Sequence, residues 1–395
     1  MININPQILN KIPTPGYVID EKKLIDNLEI LDSVQKRTGC KILLAQKAFS
    51  MFSLYPLIGK YLKGTTASGL YEAKLGHEFM GGETHIFSPA YPDEEFEEIA
   101  QICDHIVFNS IEQLNKFKSK ICRGGNLPPA KQIGLRVNPE YSEIEHEIYN
   151  PCAKNSRLGV KLNKILNNKD CFKDINGLHF HTMCEQNSDV LWRTVQKIDE
   201  KFGEFLKLYK NIKWVNFGGG QLITRENYDV ETLIKSIMFI KDKYNADVYL
   251  EPGEAVALNT GVLVSKVLDI VDNTACGDNF PVAILDASAA CHMPDVLEMP
   301  YRPEVFGSGK PCQKKYDYRL GGNTCLAGDI IGDYSFDYKL KAGDKIIFGD
   351  MAHYTMVKNN MFNGMKLPSI VLLTTDEEVM IIKEFGYDDF KMRLS

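Results

Sequence analysis

Over the first two thirds of the chain, segments with helical spacing of apolar residues alternate with short β-rich runs. Leu24, Ile25, Leu28 and Leu31 share one face at helical spacing, which predicts a helix over 21–38. Further helices are predicted over 93–101, 111–118, 190–209 and 230–244. Short β-rich runs separate them, over 41–45, 64–67, 84–88, 105–108, 132–137, 176–181, 213–217 and 247–250. Eight strands alternating with helices over about 220 residues predict a (β/α)8 barrel of the TIM type.

The pattern changes after Pro252. Runs with strand character are separated by turns rich in Gly, Pro, Asn and Asp, and helical periodicity is weak. These runs lie over 260–271, 281–286, 316–320, 345–348 and 369–375. We therefore predict an α/β protein with a barrel over 21–258. A C-terminal antiparallel β-sheet or β-barrel domain over 259–395 is expected to be joined by an N-terminal strand within 1–20.

Composition narrows the class of protein. The chain has 395 residues, of which 44% are hydrophobic, so a disordered chain is excluded. A formal net charge of -6 argues against a nucleic-acid partner and slightly favours a cationic substrate. No apolar run is long enough for a membrane helix, and the N-terminus lacks signal-peptide features, so we expect a cytoplasmic protein. The ten cysteines form no Cys-x-x-Cys pair, and we predict no metal site.

Three polar side chains and a glycine triplet lie at the ends of predicted barrel strands, where barrel active sites form. Lys47 follows the first strand, His181 closes the sixth, glycines 218–220 follow the seventh and Glu251 follows the eighth. Taken singly, each of these residues also has a purely structural explanation. Strand alternation is expected to turn only one of His179 and His181 inward. Together they favour pyridoxal 5'-phosphate, because a lysine amine binds its aldehyde, glycine amides bind phosphate and a carboxylate holds its ring nitrogen.

These residues belong to segments that recur in one enzyme family. The chain resembles the pyridoxal-phosphate-dependent decarboxylases of the alanine-racemase-like fold. Within that family it is most similar to the branch that acts on carboxynorspermidine and carboxyspermidine, with diaminopimelate and ornithine decarboxylases as relatives. The matching segments are TPGYVID (14–20), AQKA (45–48), HFH (179–181), GGG (218–220), EPG (251–253), GGNTCLAGD (321–329) and DMAHYT (350–355).

The resemblance implies which residues of this chain contact the cofactor. Lys47 would form the Schiff base with the cofactor, and Cys184 replaces a phosphate-binding serine of relatives. The other implied cofactor contacts are Arg157 near the ring oxygen, His181 on the ring, Gly219 and Gly220 at the phosphate, Glu251 at the ring nitrogen and Tyr354 at the phosphate.

The resemblance also implies how the reaction is completed. Cys325 matches the cysteine that relatives supply from the partner subunit, next to the reacting carbon. This implies a homodimer with shared active sites, in which Cys325 is the favoured proton donor. The implied reaction is decarboxylation of carboxynorspermidine or carboxyspermidine to norspermidine or spermidine.

Departures from the relatives bear on the substrate. Glu254 replaces an arginine, and Leu326 replaces a glutamate that reads diaminopimelate. Asp286 matches the aspartate that holds the distal amine in ornithine decarboxylase, and His292 and Asp295 lie nearby in sequence. We therefore expect Glu254, Asp286, His292 and Asp295 to receive a cationic polyamine tail.

Several alternatives remain open at this point. Within the fold they are decarboxylation of diaminopimelate, ornithine or arginine, and amino-acid racemisation. From other classes they are a non-catalytic protein that binds pyridoxal phosphate, which would not need the C-terminal domain, and a barrel hydrolase, which would leave Lys47 unexplained.

Overall fold

The computed structural model describes residues 2, 4–122 and 131–395. The α-helices are α1 (Pro6–Lys11), α2 (Glu21–Thr38), α3 (Tyr55–Ile58), α4 (Leu70–Phe79), α5 (Phe96–Ile102), α6 (Ile111–Cys122), α7 (Leu162–Leu166), α8 (Ser188–Leu208), α9 (Val230–Tyr244), α10 (Glu254–Ala257), α11 (Ala289–His292), α12 (Asp295–Glu298) and α13 (Tyr387–Met392). Among the described residues, no helix is both long and apolar enough to cross a membrane.

The strands belong to two sheets. They are β1 (Gly16–Asp20), β2 (Lys41–Ile42), β3 (Leu44–Ala45), β4 (Gly64–Ala67), β5 (Glu83–Phe87), β6 (His105–Phe108), β7 (Gln132–Asn138), β8 (Val160–Lys161), β9 (Gly177–His179), β10 (Trp214–Asn216), β11 (Asp247–Leu250), β12 (Gly261–Val271), β13 (Val282–Leu285), β14 (Tyr316–Gly321), β15 (Ile330–Phe336), β16 (Lys345–Gly349), β17 (Ser369–Leu373) and β18 (Val379–Lys383). Contacts divide the chain into two compact units, one of Asn27–Val256 and one of Met1–Asp26 with Ala257–Ser395.

The unit Asn27–Val256 is a parallel barrel. Its strands follow the order β3-β4-β5-β6-β7-β9-β10-β11-β2, and every neighbouring pair is parallel. Because β2 and β3 are two parts of one strand interrupted at Leu43, the sheet returns to its starting point. With that strand counted once, eight strands form the barrel, which confirms the predicted fold class.

A tryptophan fills part of the barrel interior beside two glycines. Trp214 is paired in register with Gly177, which in turn is paired with Gly134. A Cβ atom on Gly177 would lie 2.0 Å from the indole, and one on Gly134 would lie 2.4 Å from it. The missing side chains therefore make room for the ring, which packs against Leu43 and Tyr249.

The N-terminal ends of three barrel strands carry a charged cluster. Lys41 Nζ lies 2.5 Å from one oxygen of Glu83, and His85 Nε2 lies 2.9 Å from the other. The ring of His105 stacks on His85 with centroids 3.8 Å apart. The ligand atoms of Glu83, His85 and His105 lie within 4.8 Å of one another, as metal ligands do, but the Lys41 ammonium already neutralises the carboxylate.

The second unit contains an eight-stranded mixed sheet. Its order is β15-β14-β13-β12-β1-β17-β18, and β16 also pairs with β12. The pairs β1–β17 and β13–β14 are parallel, so the predicted purely antiparallel sheet is corrected to a mixed one. The long connection between β13 and β14, which contains α11 and α12, allows the chain to cross over and return in the same direction.

Two strands of this sheet were not predicted. In β15, Gly332 and Asp333 interrupt the apolar pattern. In β18, Met380 and Ile381 are exposed, and as an edge strand it has no buried face to impose alternation. The core of the sheet lies elsewhere and includes Val18, Val262, Val264, Val371 and Leu373.

The close packing around Gly177 indicates that adding a single methyl group there would destabilise the fold. Gly177→Ala would force the new Cβ into Trp214 and should lower the free energy of unfolding by about 1–3 kcal/mol. The control is Gly69→Ala, where nothing lies within 4 Å of the added Cβ. Urea denaturation should show a lower midpoint for the first variant only, and equal midpoints would contradict this packing.

The charged cluster predicts a pH-dependent contribution to stability. Burial would raise the pKa of Glu83, but the hydrogen bonds and charges of His85 and Lys41 outweigh burial and lower it to about 2. Because the folded pKa lies below the unfolded value of about 4.3, the ionised carboxylate stabilises the fold above that value. This stabilisation is lost as the pH falls towards 2.

Glu83→Gln should therefore reduce the free energy of unfolding by about 1–3 kcal/mol at pH 7, and by less below pH ~4. The matched control is Glu98→Gln, which breaks the exposed Lys74–Glu98 pair and should cost under about 1 kcal/mol. Denaturation midpoints measured from neutral to acid pH test this. A cost for Glu83→Gln that does not change with pH would show that ionisation is not its origin.

Candidate active site

Lys47 lies just beyond β3 at the C-terminal end of the barrel. Solvent reaches its side chain, yet barrel side chains surround it. Desolvation by these surrounding side chains lowers the pKa of the Lys47 ammonium. The Glu251 carboxylate opposes the shift, and the charge of Arg136 adds to it. Glu72, which accepts the Ser68 N–H at 2.6 Å, opposes the shift more weakly. A larger share of neutral amine makes Lys47 a better nucleophile.

Glu251 follows β11 and is held by side chains from β9 and β10. His179 Nε2 lies 3.1 Å from one carboxylate oxygen, and Asn216 Nδ2 donates to the other at 2.8 Å. Burial would raise the pKa of this carboxyl, but His179 and Asn216 outweigh burial and lower it. Glu251 is therefore an oriented carboxylate, as the predicted partner of a protonated ring nitrogen requires.

His181 is the second histidine near Lys47 and Glu251. Its Nδ1 accepts the Gly219 N–H at 3.0 Å, which fixes the ring. Burial lowers the pKa of His181 well below its usual value, and the charges of Lys47 and Arg136 add to that effect, so the ring is neutral. The expectation that only one histidine turns inward is wrong, because residues two apart on a strand face the same side.

The glycine loop passes close to two other backbone segments. A Cβ on Gly219 would lie 2.3 Å from the Glu251 carbonyl oxygen, and one on Gly220 would lie 2.0 Å from that of Met183. Gly220 also has a φ of +88°, which disfavours any side chain. The Gly219 amide already donates to His181, so its role at the phosphate stays a prediction.

Arg136 lies near Lys47 and Glu251 and was not predicted as a site residue. It is buried in β7, its Nη2 donates to the His181 carbonyl oxygen at 3.0 Å, and its guanidinium lies 4.5 Å from the Phe87 ring centroid. A single arginine within the apolar run of 132–137 was the available signal. The predicted Arg157 is exposed, and its charge acts on Arg136.

Cys184, at the position of a phosphate-binding serine in relatives, and Glu254, a predicted substrate residue, lie in the same unit. Cys184 is half-buried, and burial raises the pKa of its thiol to about 11, so it stays protonated at neutral pH. Glu254 is the first residue of α10, is half-buried, and its charge acts on Cys184.

Cys325 and Tyr354 belong to the other unit. Cys325 is exposed in a loop, where its backbone N–H donates to Asn363 Oδ1 at 2.8 Å. Buried Asp329 holds the same loop by accepting from the Thr324 hydroxyl at 2.6 Å. Tyr354 is half-buried with a φ of +45°.

The three predicted substrate residues of this unit have different surroundings. Asp286 accepts from Ser265 Oγ at 2.7 Å and from the Lys266 N–H at 2.8 Å through the same oxygen. His292 is buried, which lowers its pKa to about 4, and the charge of Asp286 acts on it. Asp295 forms an ion pair with Lys358, which also binds Glu298.

Comparisons with known proteins agree with this arrangement. Residues 17–352 match the family described as pyridoxal-dependent decarboxylase, C-terminal sheet domain. A carboxynorspermidine/carboxyspermidine decarboxylase of Campylobacter jejuni is 45% identical over 97% of this chain and 99% of its own length. A carboxyaminopropylagmatine decarboxylase of Synechocystis is 39% identical over 99% of this chain and 97% of its own length.

Solved structures extend the comparison to three dimensions. The crystal structure of carboxynorspermidine decarboxylase from Campylobacter jejuni complexed with norspermidine is 43% identical, with a TM-score of 0.87 over 97% of this chain and 100% of that one. Diaminopimelate decarboxylase from Helicobacter pylori shares the fold at 17% identity, with a TM-score of 0.82 over 98% of each chain. Taken with the match over 17–352, these full-length similarities establish that the chain belongs to the pyridoxal-dependent decarboxylase family.

Proposed function

We propose that this chain uses pyridoxal 5'-phosphate to decarboxylate carboxynorspermidine and carboxyspermidine, giving norspermidine and spermidine in polyamine biosynthesis. The observation that carries the proposal is the cluster of Lys47 and the Glu251 carboxylate, which His179 and Asn216 orient. The 45% identity to a full-length relative with that name supports the substrate class. The expected cytoplasmic location is part of this proposal.

The donor set of the barrel fits pyridoxal phosphate. Lys47 offers an amine of lowered pKa for the aldehyde, and Glu251 offers a fixed carboxylate for the ring nitrogen. Neutral His181 is assigned to the ring face, and Gly219, Gly220 and Tyr354 to the phosphate. Buried Arg136 joins the predicted Arg157 as a candidate for the ring oxygen. When bound, the cofactor supplies an electron sink for the pair left on Cα as CO2 departs.

The side chains of this protein then have separate tasks. Lys47 would accept and return a proton at its Nζ as the substrate amine replaces the lysine amine at the cofactor's aldehyde. Glu251 keeps a proton on the ring nitrogen, since its carboxylate is fixed by two donors. Cys325 is assigned as the donor of a proton from Sγ to Cα. We further propose a homodimer, in which each chain supplies Cys325 to its partner's site.

Recognition of the cationic tail is assigned mainly to Glu254 and Asp286. Asp286 uses only one oxygen for hydrogen bonds within the described residues, so its second oxygen suits a substrate ammonium. Asp295 is a weaker candidate because Lys358 already neutralises it. Burial keeps His292 neutral at pH 7, so it would contribute a hydrogen bond and no charge.

A second candidate substrate is carboxyaminopropylagmatine. The 39% identical relative over 99% of the chain favours it. Its agmatine tail ends in a guanidinium, whereas the tail of carboxynorspermidine ends in an ammonium. Mass spectrometry of the products from an equimolar mixture of the two substrates decides between them.

Removal of Lys47 tests the use of the cofactor. Lys47→Ala should abolish the visible absorption of bound cofactor and reduce turnover of carboxynorspermidine below about a thousandth of the wild-type rate. The control is Lys60→Ala, which changes an exposed lysine and should keep both properties. A Lys47→Ala protein that retains the absorption band would refute the assignment.

Loss of one carboxylate tests recognition of the tail. Glu254→Gln should raise KM for carboxynorspermidine about tenfold, equivalent to about 1.4 kcal/mol, with a smaller change in kcat. Asp376→Asn, in an exposed turn, is the control for a general loss of negative charge and should leave KM unchanged. Steady-state kinetics supply both values. If KM for Glu254→Gln equals the wild-type value, Glu254 does not bind the tail.

A further inference from the structure

A buried histidine forms part of the barrel interior beneath the cofactor residues. His179 is the last residue of β9, and only 1% of it is exposed. Its Nε2 lies 3.1 Å from Glu251, whereas its Nδ1 has no hydrogen-bond partner among the described residues. Since Glu251 is an acceptor, the proton of the neutral ring is assigned to Nε2.

Packing holds this ring in place. Phe87 stacks on His179 with centroids 5.4 Å apart and planes inclined by 19°. Arg136 in turn lies over the Phe87 ring. The imidazole therefore has one fixed plane and one polar contact, and an apolar residue of similar size would serve the packing alone.

The contact to Glu251 is completed from the next strand. Asn216 is paired in register with His179, and its amide donates to the second oxygen of the same carboxylate. Asn216 is itself oriented, because its Oδ1 accepts the Gly218 N–H at 2.8 Å. Both carboxylate oxygens are thus held by donors on β9 and β10, which fixes the direction of the carboxylate.

We propose that His179 is a positioning residue for decarboxylation, whose Nε2–H orients the Glu251 carboxylate as the partner of the cofactor's ring nitrogen. The proposal rests on the proposed function, because it needs bound pyridoxal phosphate. It adds a residue that acts through Glu251 and was not among the predicted cofactor contacts. Burial lowers the pKa of His179, Glu251 opposes that shift, and the charges of Arg136 and Lys47 add to it, so the ring is neutral.

The test compares a variant that lacks the donor with one that retains it. His179→Leu removes the N–H, and His179→Gln places an amide N–H near the position of Nε2. Enzyme loaded with 15N-labelled pyridoxal phosphate reports through the ring-nitrogen NMR shift whether that nitrogen is protonated. Steady-state kinetics of carboxynorspermidine give kcat and KM separately.

For wild type and His179→Gln, we expect a ring-nitrogen shift in the protonated range. For His179→Leu, we expect movement towards the unprotonated range and a fall in kcat of about 10- to 100-fold, with little change in KM. His105→Leu, which removes a buried histidine from the other end of the barrel, should keep the wild-type shift. If His179→Leu does not fold, the flexible His179→Met variant takes its place.

Two results would overturn the proposal. One is a wild-type ring-nitrogen shift in the variant without the donor, and the other is equal losses in the Leu and Gln variants. Wild-type protein that takes up no pyridoxal phosphate would instead refute the proposed function itself, so the two failures are distinguishable.

Discussion

The largely buried carboxylate of Glu251, whose side chain is 11% exposed, is the constraint on which the catalytic end of the barrel depends. A charge in a protein interior is costly unless hydrogen bonds and opposite charges compensate it. Here His179 and Asn216 supply the hydrogen bonds, and Lys47 and Arg136 supply the positive charge. Parallel pairing makes this possible, because neighbouring strands deliver their C-terminal residues to the same level.

The same requirement recurs at two other places in the chain. At the N-terminal ends of the barrel strands, Glu83 is compensated by Lys41 and His85. In the second unit, buried Asp329 forms no ion pair among the described residues, and the hydroxyl groups of Ser288 and Thr324 donate to it instead. This holds the loop that carries Cys325, so the position of the proposed proton donor also depends on a buried carboxylate.

The barrel was predictable because its signals are local. Each buried parallel strand is a short apolar run, and each helix has an apolar stripe, so eight strands and the principal helices could be read from periodicity. Lys47, His181 and Glu251 could be selected because barrel chemistry gathers after the strands. The resemblance to known decarboxylases then added residues of the second unit, such as Cys325 and Tyr354.

What could not be predicted depends on contacts between distant residues. The pairing of Asp295 with Lys358 joins positions 63 residues apart, and no local pattern indicates it. Arg136 and His179 look like residues of ordinary strands until the barrel closes around Glu251. The edge strand β18 lacks a buried face, so the alternation that would have revealed it is absent.

The preference of this enzyme for amino acids with a long cationic tail underlies the assignment of its substrate. It is tested most directly by the ratio of kcat/KM for carboxynorspermidine to kcat/KM for meso-diaminopimelate, measured on the same preparation of enzyme. We expect a ratio of at least about 100, equivalent to about 2.7 kcal/mol of transition-state discrimination. A ratio below one would contradict it.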